Sequence, residues 1–366
     1  MLSGKDRTIL REPATDPAAW TAADLRTDTS WIRPFSSDEI EELDEAVQRV
    51  RAQGFGPMDF AREDFPLPTL TDALATVADD VENGRGIVLM RGLDFDRYTV
   101  DEIRTLYWGI GRHLGTAVSQ NPLGEMMAAV TDRGYDQRKN NVRGYTTRQS
   151  QNFHCDAPDC VGLLCIHPAK SGGDSMLASS VAIYNHILET HPEYLEPLCT
   201  GFHFDLRGEG VTGARNEVTF NRVPIYSYFK GRLSCRYNGK TAPDGMRKAG
   251  KPMTALEREA VEYVRATAAQ DRFRFDMRFE RGDIQFVSNH SILHSRTAYE
   301  DWPDADRKRR LLRLWLMLHN GRPLAPEFAD RHNTGPRGGV HIRDGATYWA
   351  DERFQSAPNE ETPGAP

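Results

Sequence analysis

The sequence predicts an α+β or barrel-like protein whose strands lie mostly in the second half of the chain. Helix-start signals and amphipathic stripes dominate before residue 115, whereas short apolar or alternating runs dominate after residue 160. No internal repeat is present. Hydrophobic residues make up 39% of the 366 residues and charged residues 27%, which is typical of a globular protein with a sizeable core.

Capping residues and apolar stripes locate the helices. Ser36 with Glu39 and Thr99 with Glu102 have the spacing of a capping box, and Thr254 can cap a later helix. Apolar residues recur at helical spacing after each of these positions. The predicted helices cover residues 38–53, 71–84, 99–115, 183–188 and 255–268.

Apolar and alternating runs locate the strands. Phe273, Phe275 and Met277 alternate with charged residues, which is typical of a half-buried strand. Short apolar runs bounded by glycine or charged residues predict the others. The predicted strands cover residues 86–91, 128–131, 161–166, 175–178, 273–277, 284–287 and 309–318.

Three segments are predicted along the chain. Residues 1–35 are polar and contain several prolines, so we expect an extended N-terminal segment. Residues 36–350 are predicted to form a single domain, and residues 351–366 a disordered tail because they are rich in Pro, Glu and Gly. The polar segment 132–151 is too long for a tight turn and leads into the residues discussed next. We interpret it as a substrate lid, with a plain solvent loop as the alternative.

Charge and cysteine content narrow the class of protein. A formal net charge of −7 argues against a general nucleic-acid binder, and no apolar stretch is long enough to cross a membrane. The five cysteines fit neither a disulfide framework nor a structural zinc site. We expect a cytoplasmic protein with a small-molecule partner. The sequence does not indicate whether it forms a homo-oligomer.

A candidate metal site begins at His154 and Asp156. Alternate residues of a strand share a face, so an imidazole and a carboxylate can converge there. Asp159 is a rival carboxylate, but it lacks the two-residue spacing. His290 and His294 are both candidates for a third ligand. Two histidines and one carboxylate form the facial triad of non-haem Fe(II) oxygenases.

A basic strand follows these histidines. If residues 309–318 are extended, Arg309 and Arg313 share a face with Leu311 and Trp315. Buried arginines require an anionic partner, which is either a protein carboxylate or the carboxylate of a ligand.

Together these motifs resemble the taurine dioxygenase (TauD/TfdA) superfamily of Fe(II)- and 2-oxoglutarate-dependent oxygenases, closest to its γ-butyrobetaine hydroxylase and clavaminate synthase side. The resemblance spans residues 152–318. It is carried by His154-Cys155-Asp156, Gly172-Gly173-Asp174-Ser175, Leu293-His294 and the segment from Arg309 to Arg313.

The resemblance implies roles for these residues and a finer fold. It implies a double-stranded β-helix, or jelly-roll, core with flanking helices. His154, Asp156 and His294 resemble the iron ligands, with His294 preferred over His290 because of its distance from the arginines. Ser175 and Arg309 resemble the residues that hold the distal carboxylate of 2-oxoglutarate. Arg313 resembles a second arginine that holds either substrate or 2-oxoglutarate.

The implied reaction uses Fe(II), 2-oxoglutarate and O2, and releases succinate and CO2. A carboxylate at Asp156, rather than a small residue, favours hydroxylation, desaturation or oxidative cyclisation over halogenation. The basic 132–151 segment favours a small polar substrate that carries a carboxylate. Two alternatives remain at this point: an iron oxygenase with the same triad that does not use 2-oxoglutarate, and a catalytically inactive binding relative.

Overall fold

The computed structural model describes residues 9–135 and 142–346. The predicted disordered tail, residues 351–366, and the centre of the predicted lid, residues 136–141, lie outside the described residues. No helix in the described ranges is both long enough and apolar enough to cross a bilayer.

The helices begin close to the predicted caps. Ser36 and Glu39 form the expected capping box, as do Thr99 with Glu102 and Thr254 with Glu257. The helices are α1 (Ala22–Thr27), α2 (Ser37–Ala52), α3 (Leu70–Glu82), α4 (Val100–Leu114), α5 (Ser180–Thr190), α6 (Leu195–Thr200), α7 (Thr241–Lys248), α8 (Ala255–Ala268) and α9 (Pro326–Ala329).

The strands follow the predicted runs with added short pieces. They are β1 (Ile32–Pro34), β2 (Ile87–Arg91), β3 (Gly115–Ala117), β4 (Met127–Val130), β5 (Gln151–His154), β6 (Cys160–His167), β7 (Ser171–Gly172), β8 (Ser175–Ser179), β9 (Tyr226–Phe229), β10 (Arg232–Cys235), β11 (Phe275–Met277), β12 (Ile284–Ser288), β13 (Ile292–Arg296), β14 (Tyr299–Glu300) and β15 (Arg310–Leu318).

Residues 9–35, the described part of the N-terminal segment, are not simply extended, which differs from the prediction for residues 1–35. The segment contains α1, because the side chain of Asp24 accepts hydrogen bonds from the backbone N–H and the hydroxyl of Thr21 and so caps a short helix. It also contains β1, which pairs in parallel with β2. Trp20 and Trp31 are buried there, so this segment is part of the core.

Most of the strands belong to two sheets. A seven-stranded sheet has the order β1-β2-β12-β6-β15-β3, with β4 also paired to β15. A four-stranded sheet has the order β11-β8-β13-β5. All pairings in these two sheets are antiparallel except that between β1 and β2. Helices and mainly antiparallel sheets confirm the α+β class.

Apolar residues place the two sheets in the interior of a layered molecule. One cluster joins α2, α3 and α4 to the large sheet, and another joins α5, α6 and α8 to the small sheet. A third cluster lies between the sheets, with Val161 and Leu311 from the large sheet and Leu177 and Ile292 from the small sheet. Each sheet is therefore covered by helices on one side and by the other sheet on the other.

Strand β15 alternates as predicted. Leu311 and Trp315 belong to the cluster between the sheets, whereas Leu312 and Leu314 pack towards the helices. The arginines that share a face with Leu311 therefore point into the space between the sheets.

Candidate metal centre and adjoining cavities

Strand pairing brings the two distant histidines together. His154 ends β5, His294 is the middle residue of β13, and the two are direct partners in the antiparallel ladder. Their ring centroids are 4.5 Å apart. Asp156 Oδ1 lies 3.8 Å from His154 Nε2, and Asp156 Oδ2 lies 3.6 Å from His294 Nε2. All three groups can offer ligand atoms within 4.8 Å of one another, which suits a single metal ion.

Asp156 is not on the strand that was expected to carry it. Strand β5 ends at His154, and the Cys155 N–H bonds instead to the carbonyl of Tyr237 at 2.8 Å. The position of Asp156 is set by contacts from elsewhere. Its backbone N–H donates to Asn289 Oδ1 at 2.9 Å, and Arg331 Nη1 donates to its carbonyl oxygen at 3.0 Å.

The histidine side chains are oriented for coordination through Nε2. His154 Nδ1 donates to the Asn152 carbonyl at 2.8 Å, which leaves the Nε2 lone pair free. Burial, followed by the charge of His294, lowers the pKa of His154 to about 4, so the ring is neutral near neutral pH. His294 Nδ1 is buried and has no hydrogen-bond partner among the described residues.

The Asp156 carboxylate is held ionised and oriented. Trp315 Nε1 donates to its Oδ2 at 3.0 Å, and Arg313 Nη1 lies 3.7 Å from the same oxygen. Burial raises the pKa of this carboxyl, but Arg313 and the neighbouring His294 and His154 outweigh burial and hold the pKa well below its ordinary value. Such outer contacts fix a ligand before the metal binds.

The rival residues from the sequence form a pair of their own. His290 Nε2 lies 2.9 Å from Asp159 Oδ1, and both side chains are only 1% exposed. Asp159 Oδ2 also accepts from Arg337 Nη1 at 2.7 Å and from the Leu318 N–H at 3.1 Å. His290 and Asp159 are thus satisfied by each other and by the core, away from the triad.

A cavity of about 60 Å³ adjoins the triad on the side of Ser175 and Arg309. Arg309 is 4% exposed, and its Nη1 is buried with no hydrogen-bond partner in the described part of the chain. A glycine permits this approach: Gly173 has φ +74°, and a Cβ there would lie 2.9 Å from Arg309 Nε. Ser175 Oγ donates to Gln285 Oε1 at 3.2 Å in the same cavity.

A second cavity of about 400 Å³ opens on the other side of the triad. Five residues line both cavities: Tyr145, Gln151, His154, Asp156 and Arg313. Two of the three triad residues therefore form part of the wall between the cavities, while His294 faces the small one. Arg313 Nε donates to Gln120 Oε1 at 2.7 Å, which fixes the guanidinium at this junction.

The structure therefore brings together the six residues to which the resemblance gave a role in the site. His154, Asp156, His294, Ser175, Arg309 and Arg313 all line the small cavity. Sequence reasoning missed the groups that orient Asp156, namely Asn289, Trp315 and Arg331, and also missed Arg296, which lines the same cavity. Asn289 directly precedes His290, and Trp315 lies two residues after Arg313, so both adjoin residues that the sequence marked. Nothing in the local sequence marks Arg331.

Comparison with known proteins agrees with this geometry. A model of the taurine catabolism dioxygenase TauD, TfdA family matches residues 44–315. FR-33289 synthase of Streptomyces rubellomurinus (strain ATCC 31215) is 34% identical over 331 residues, which cover 89% of this chain and 96% of that protein. Taurine hydroxylase-like protein SAT17 of Stachybotrys chartarum is 29% identical over 313 residues, covering 82% and 79%.

Solved structures show the same fold. Asparagine oxygenase in complex with Fe(II), 2S,3S-3-hydroxyasparagine and succinate superposes with a TM-score of 0.61 at 17% identity, covering 79% of this chain and 94% of that one. The non-haem iron oxygenase OrfP in complex with Fe and alpha-ketoglutaric acid gives 0.54 at 13% identity, covering 78% and 93%. With its two-histidine, one-carboxylate cluster, the chain belongs to the taurine catabolism dioxygenase TauD, TfdA family of non-haem iron, 2-oxoglutarate-dependent dioxygenases.

Proposed function

We propose that this protein oxidises a small polar molecule in the large cavity, with iron bound by His154, Asp156 and His294. The observation that carries the proposal is that two cavities meet at His154 and Asp156, and that His294 lines the smaller one. A co-substrate on one side and a substrate on the other can then both reach one metal ion. The small cavity would receive 2-oxoglutarate, and the large cavity would receive the substrate.

The residues of the small cavity fit 2-oxoglutarate. Arg309 offers a buried, unpartnered N–H, and burial lowers its pKa, so an anionic ligand would offset the cost of burying this charge. Ser175 adds a hydroxyl from the neighbouring strand. Tyr299 packs on Arg309, with its ring centroid 5.0 Å from the guanidinium carbon, and restricts the guanidinium to one position.

When bound, iron and 2-oxoglutarate supply the O2-dependent oxidation of a substrate C–H bond, with release of succinate and CO2. The chain supplies orientation. Trp315 and Asn289 hold Asp156, Asn152 fixes the tautomer of His154, and Arg313 presents a cation at the junction of the cavities. Hydroxylation, desaturation and oxidative cyclisation all fit this arrangement, and the mass of the product distinguishes a gained oxygen from lost hydrogens.

We also propose that the two facing sheets form a jelly-roll core, which is supported by their packing around one apolar cluster with the triad at its edge. The described part of the 132–151 segment supports its proposed role as a lid, because Arg143 and Tyr145 line the large cavity. A cytoplasmic location stays a prediction.

The decisive experiment is an anaerobic titration of the purified protein with Fe(II) and then 2-oxoglutarate, followed by visible absorption. We expect a charge-transfer band that requires both additions. The band should disappear in His294→Ala and persist in His290→Ala, which is the matched control because that histidine is paired with Asp159. Bound iron without a band would favour the alternative that does not use 2-oxoglutarate. Failure to bind iron would contradict the proposal.

A further inference from the structure

The large cavity contains a histidine whose polar atoms have no protein partner. His332 is 6% exposed and lines the cavity beyond the triad. Both of its ring nitrogens are buried without a hydrogen-bond partner among the described residues. Leaving two polar atoms unsatisfied in the interior costs free energy, so a site of this kind indicates a ligand that supplies the missing hydrogen bonds.

Two arginines beside His332 lack carboxylate partners. Arg331 uses Nη1 to bond the carbonyl oxygens of Cys155 and Asp156, at 3.1 and 3.0 Å. Arg236 is 2% exposed, and its Nε and Nη1 are unpartnered. Within residues 9–135 and 142–346, neither arginine forms an ion pair.

Three pairs of opposite charges lie in or beside this cavity. The guanidinium of Arg143 pairs with the carboxylate of Glu209, Arg265 pairs with Glu262, and Lys248 bonds Asp205 at 2.7 Å. Their charges therefore largely cancel. Two further cations line the cavity, and of these Lys240 is exposed and Arg207 is half-buried. Positive charge without a carboxylate partner also surrounds His332, where burial and then the neighbouring arginines hold the pKa of the imidazole well below its ordinary value.

These three residues lie close to the metal ligands. Trp315 lies between Asp156 and His332. Its indole N–H donates to Asp156 Oδ2, and its ring stacks on the ring of His332 with the centroids 6.5 Å apart. Arg331 touches the backbone of Asp156 itself. An anion held here would lie near the metal ligands, which suits a short substrate with a charged head and a C–H bond nearby.

We infer that Arg331 and His332, with Arg236 behind them, form a subsite for the oxoanion head group of the substrate. The inference rests on the proposed function and assigns its substrate class: a small molecule with a carboxylate, sulfonate or phosphonate. Arg331 keeps Nε and Nη2 available after its two carbonyl bonds, so it can offer a charged fork while His332 offers one N–H. Both residues lie beyond the segment matched by the family model, 44–315.

The test is calorimetric titration of the anaerobic protein, loaded with Fe(II) and saturating 2-oxoglutarate, with acetate, sulfate or phosphate. Saturating 2-oxoglutarate keeps Arg309 occupied, and chloride at equal ionic strength is the blank. We expect at least one anion to bind, and its identity to distinguish a carboxylate from a tetrahedral head group. His332→Phe keeps the ring that stacks on Trp315 and should weaken binding about tenfold. Arg331→Gln should weaken it further.

A matched control separates loss of the subsite from general damage. His191 stacks on Tyr194 at the surface, so His191→Phe should bind the anion like the unchanged protein. Two results would overturn the subsite. One is that none of the three anions binds, and the other is that His332→Phe and Arg331→Gln both bind the anion as tightly as the unchanged protein. The charge-transfer band tests the proposed function, and the calorimetric titration tests the subsite. The two measurements are independent, so the failure of one proposal can be distinguished from the failure of the other.

Discussion

The indole of Trp315 donates a hydrogen bond to Asp156 Oδ2 at 3.0 Å, so a residue of the last core strand orients the carboxylate of the metal site. Trp315 lies on the same face as Arg313 of β15 and as Arg309, the residue immediately before β15. One continuous segment therefore presents to the site both the residues assigned to the anionic ligands and the residue that positions a metal ligand.

This contact predicts the effect of Trp315→Phe. Phenylalanine retains most of the packing but removes the N–H, so Asp156 can rotate and iron should bind about tenfold more weakly. The measurement is an anaerobic Fe(II) titration of the apo-protein. Trp302→Phe is the control, because Trp302 packs against Lys170 and Arg307 and is not among the described residues that line either cavity. An unchanged iron dissociation constant in Trp315→Phe would contradict the role of this hydrogen bond.

From the residues of the small cavity we predict how far substitution of Arg309 and of Ser175 lowers the affinity for 2-oxoglutarate. Arg309→Met removes the charge and should weaken 2-oxoglutarate about 100-fold, whereas Ser175→Ala removes one neutral hydrogen bond and should cost about tenfold. Affinity is read from the visible band at saturating Fe(II). Arg310→Met is the matched control, because the neighbouring side chain points to the opposite face of β15. Equal affinity in Arg309→Met and Arg310→Met would refute the assignment.

The buried pair of His290 and Asp159 predicts a stability effect without loss of the site. His290→Ala leaves Asp159 with one hydrogen bond fewer in the core and should lower the free energy of unfolding by about 2 kcal/mol. Urea unfolding of the apo-protein measures this change. His319→Ala, at an exposed position, should change it by less than about 0.5 kcal/mol. If His290→Ala instead lost iron at unchanged stability, the division between pair and triad would be wrong.

The hydrogen bonds of Arg296 lead to a prediction about how easily the segment around Arg148, which precedes the metal site, is cleaved by trypsin. The Nη2 of Arg296 donates to the carbonyl oxygens of Thr147, at 2.8 Å, and Gln149, and so ties that segment to β13. In Arg296→Met these bonds are lost, and we expect trypsin to cleave after the exposed Arg148 about tenfold faster. Arg274→Met, which alters a surface pair with Asp276, serves as the control. Cleavage at an unchanged rate would show that Arg296 does not anchor this segment.

Local sequence determined the five longest helices in the described residues, α2, α3, α4, α5 and α8, and about half of the strands. The capping boxes at Ser36 and Thr99 act within one turn of chain, and the alternation of β15 reflects the pleat of a single strand, so both can be recognised without a fold. The N-terminal segment was misjudged because its order depends on contacts with distant residues: Trp20 donates to the carbonyl of Arg85, and β1 pairs with β2.

The sequence by itself also determined which residue types could hold a metal and an anion, because His, Asp and Arg carry that chemistry wherever they lie. Only the tertiary structure decided which of them act together. The pairing of β5 with β13 placed His294 beside His154, while the same packing buried His290 against Asp159. The proposed subsite around Arg331 and His332 likewise depends on tertiary contacts. The ring nitrogens of His332 have no partner in the described structure, whereas the guanidinium of Arg143 is paired with Glu209. Which groups are paired depends on contacts between residues that are distant in the chain, so local spacing does not reveal it.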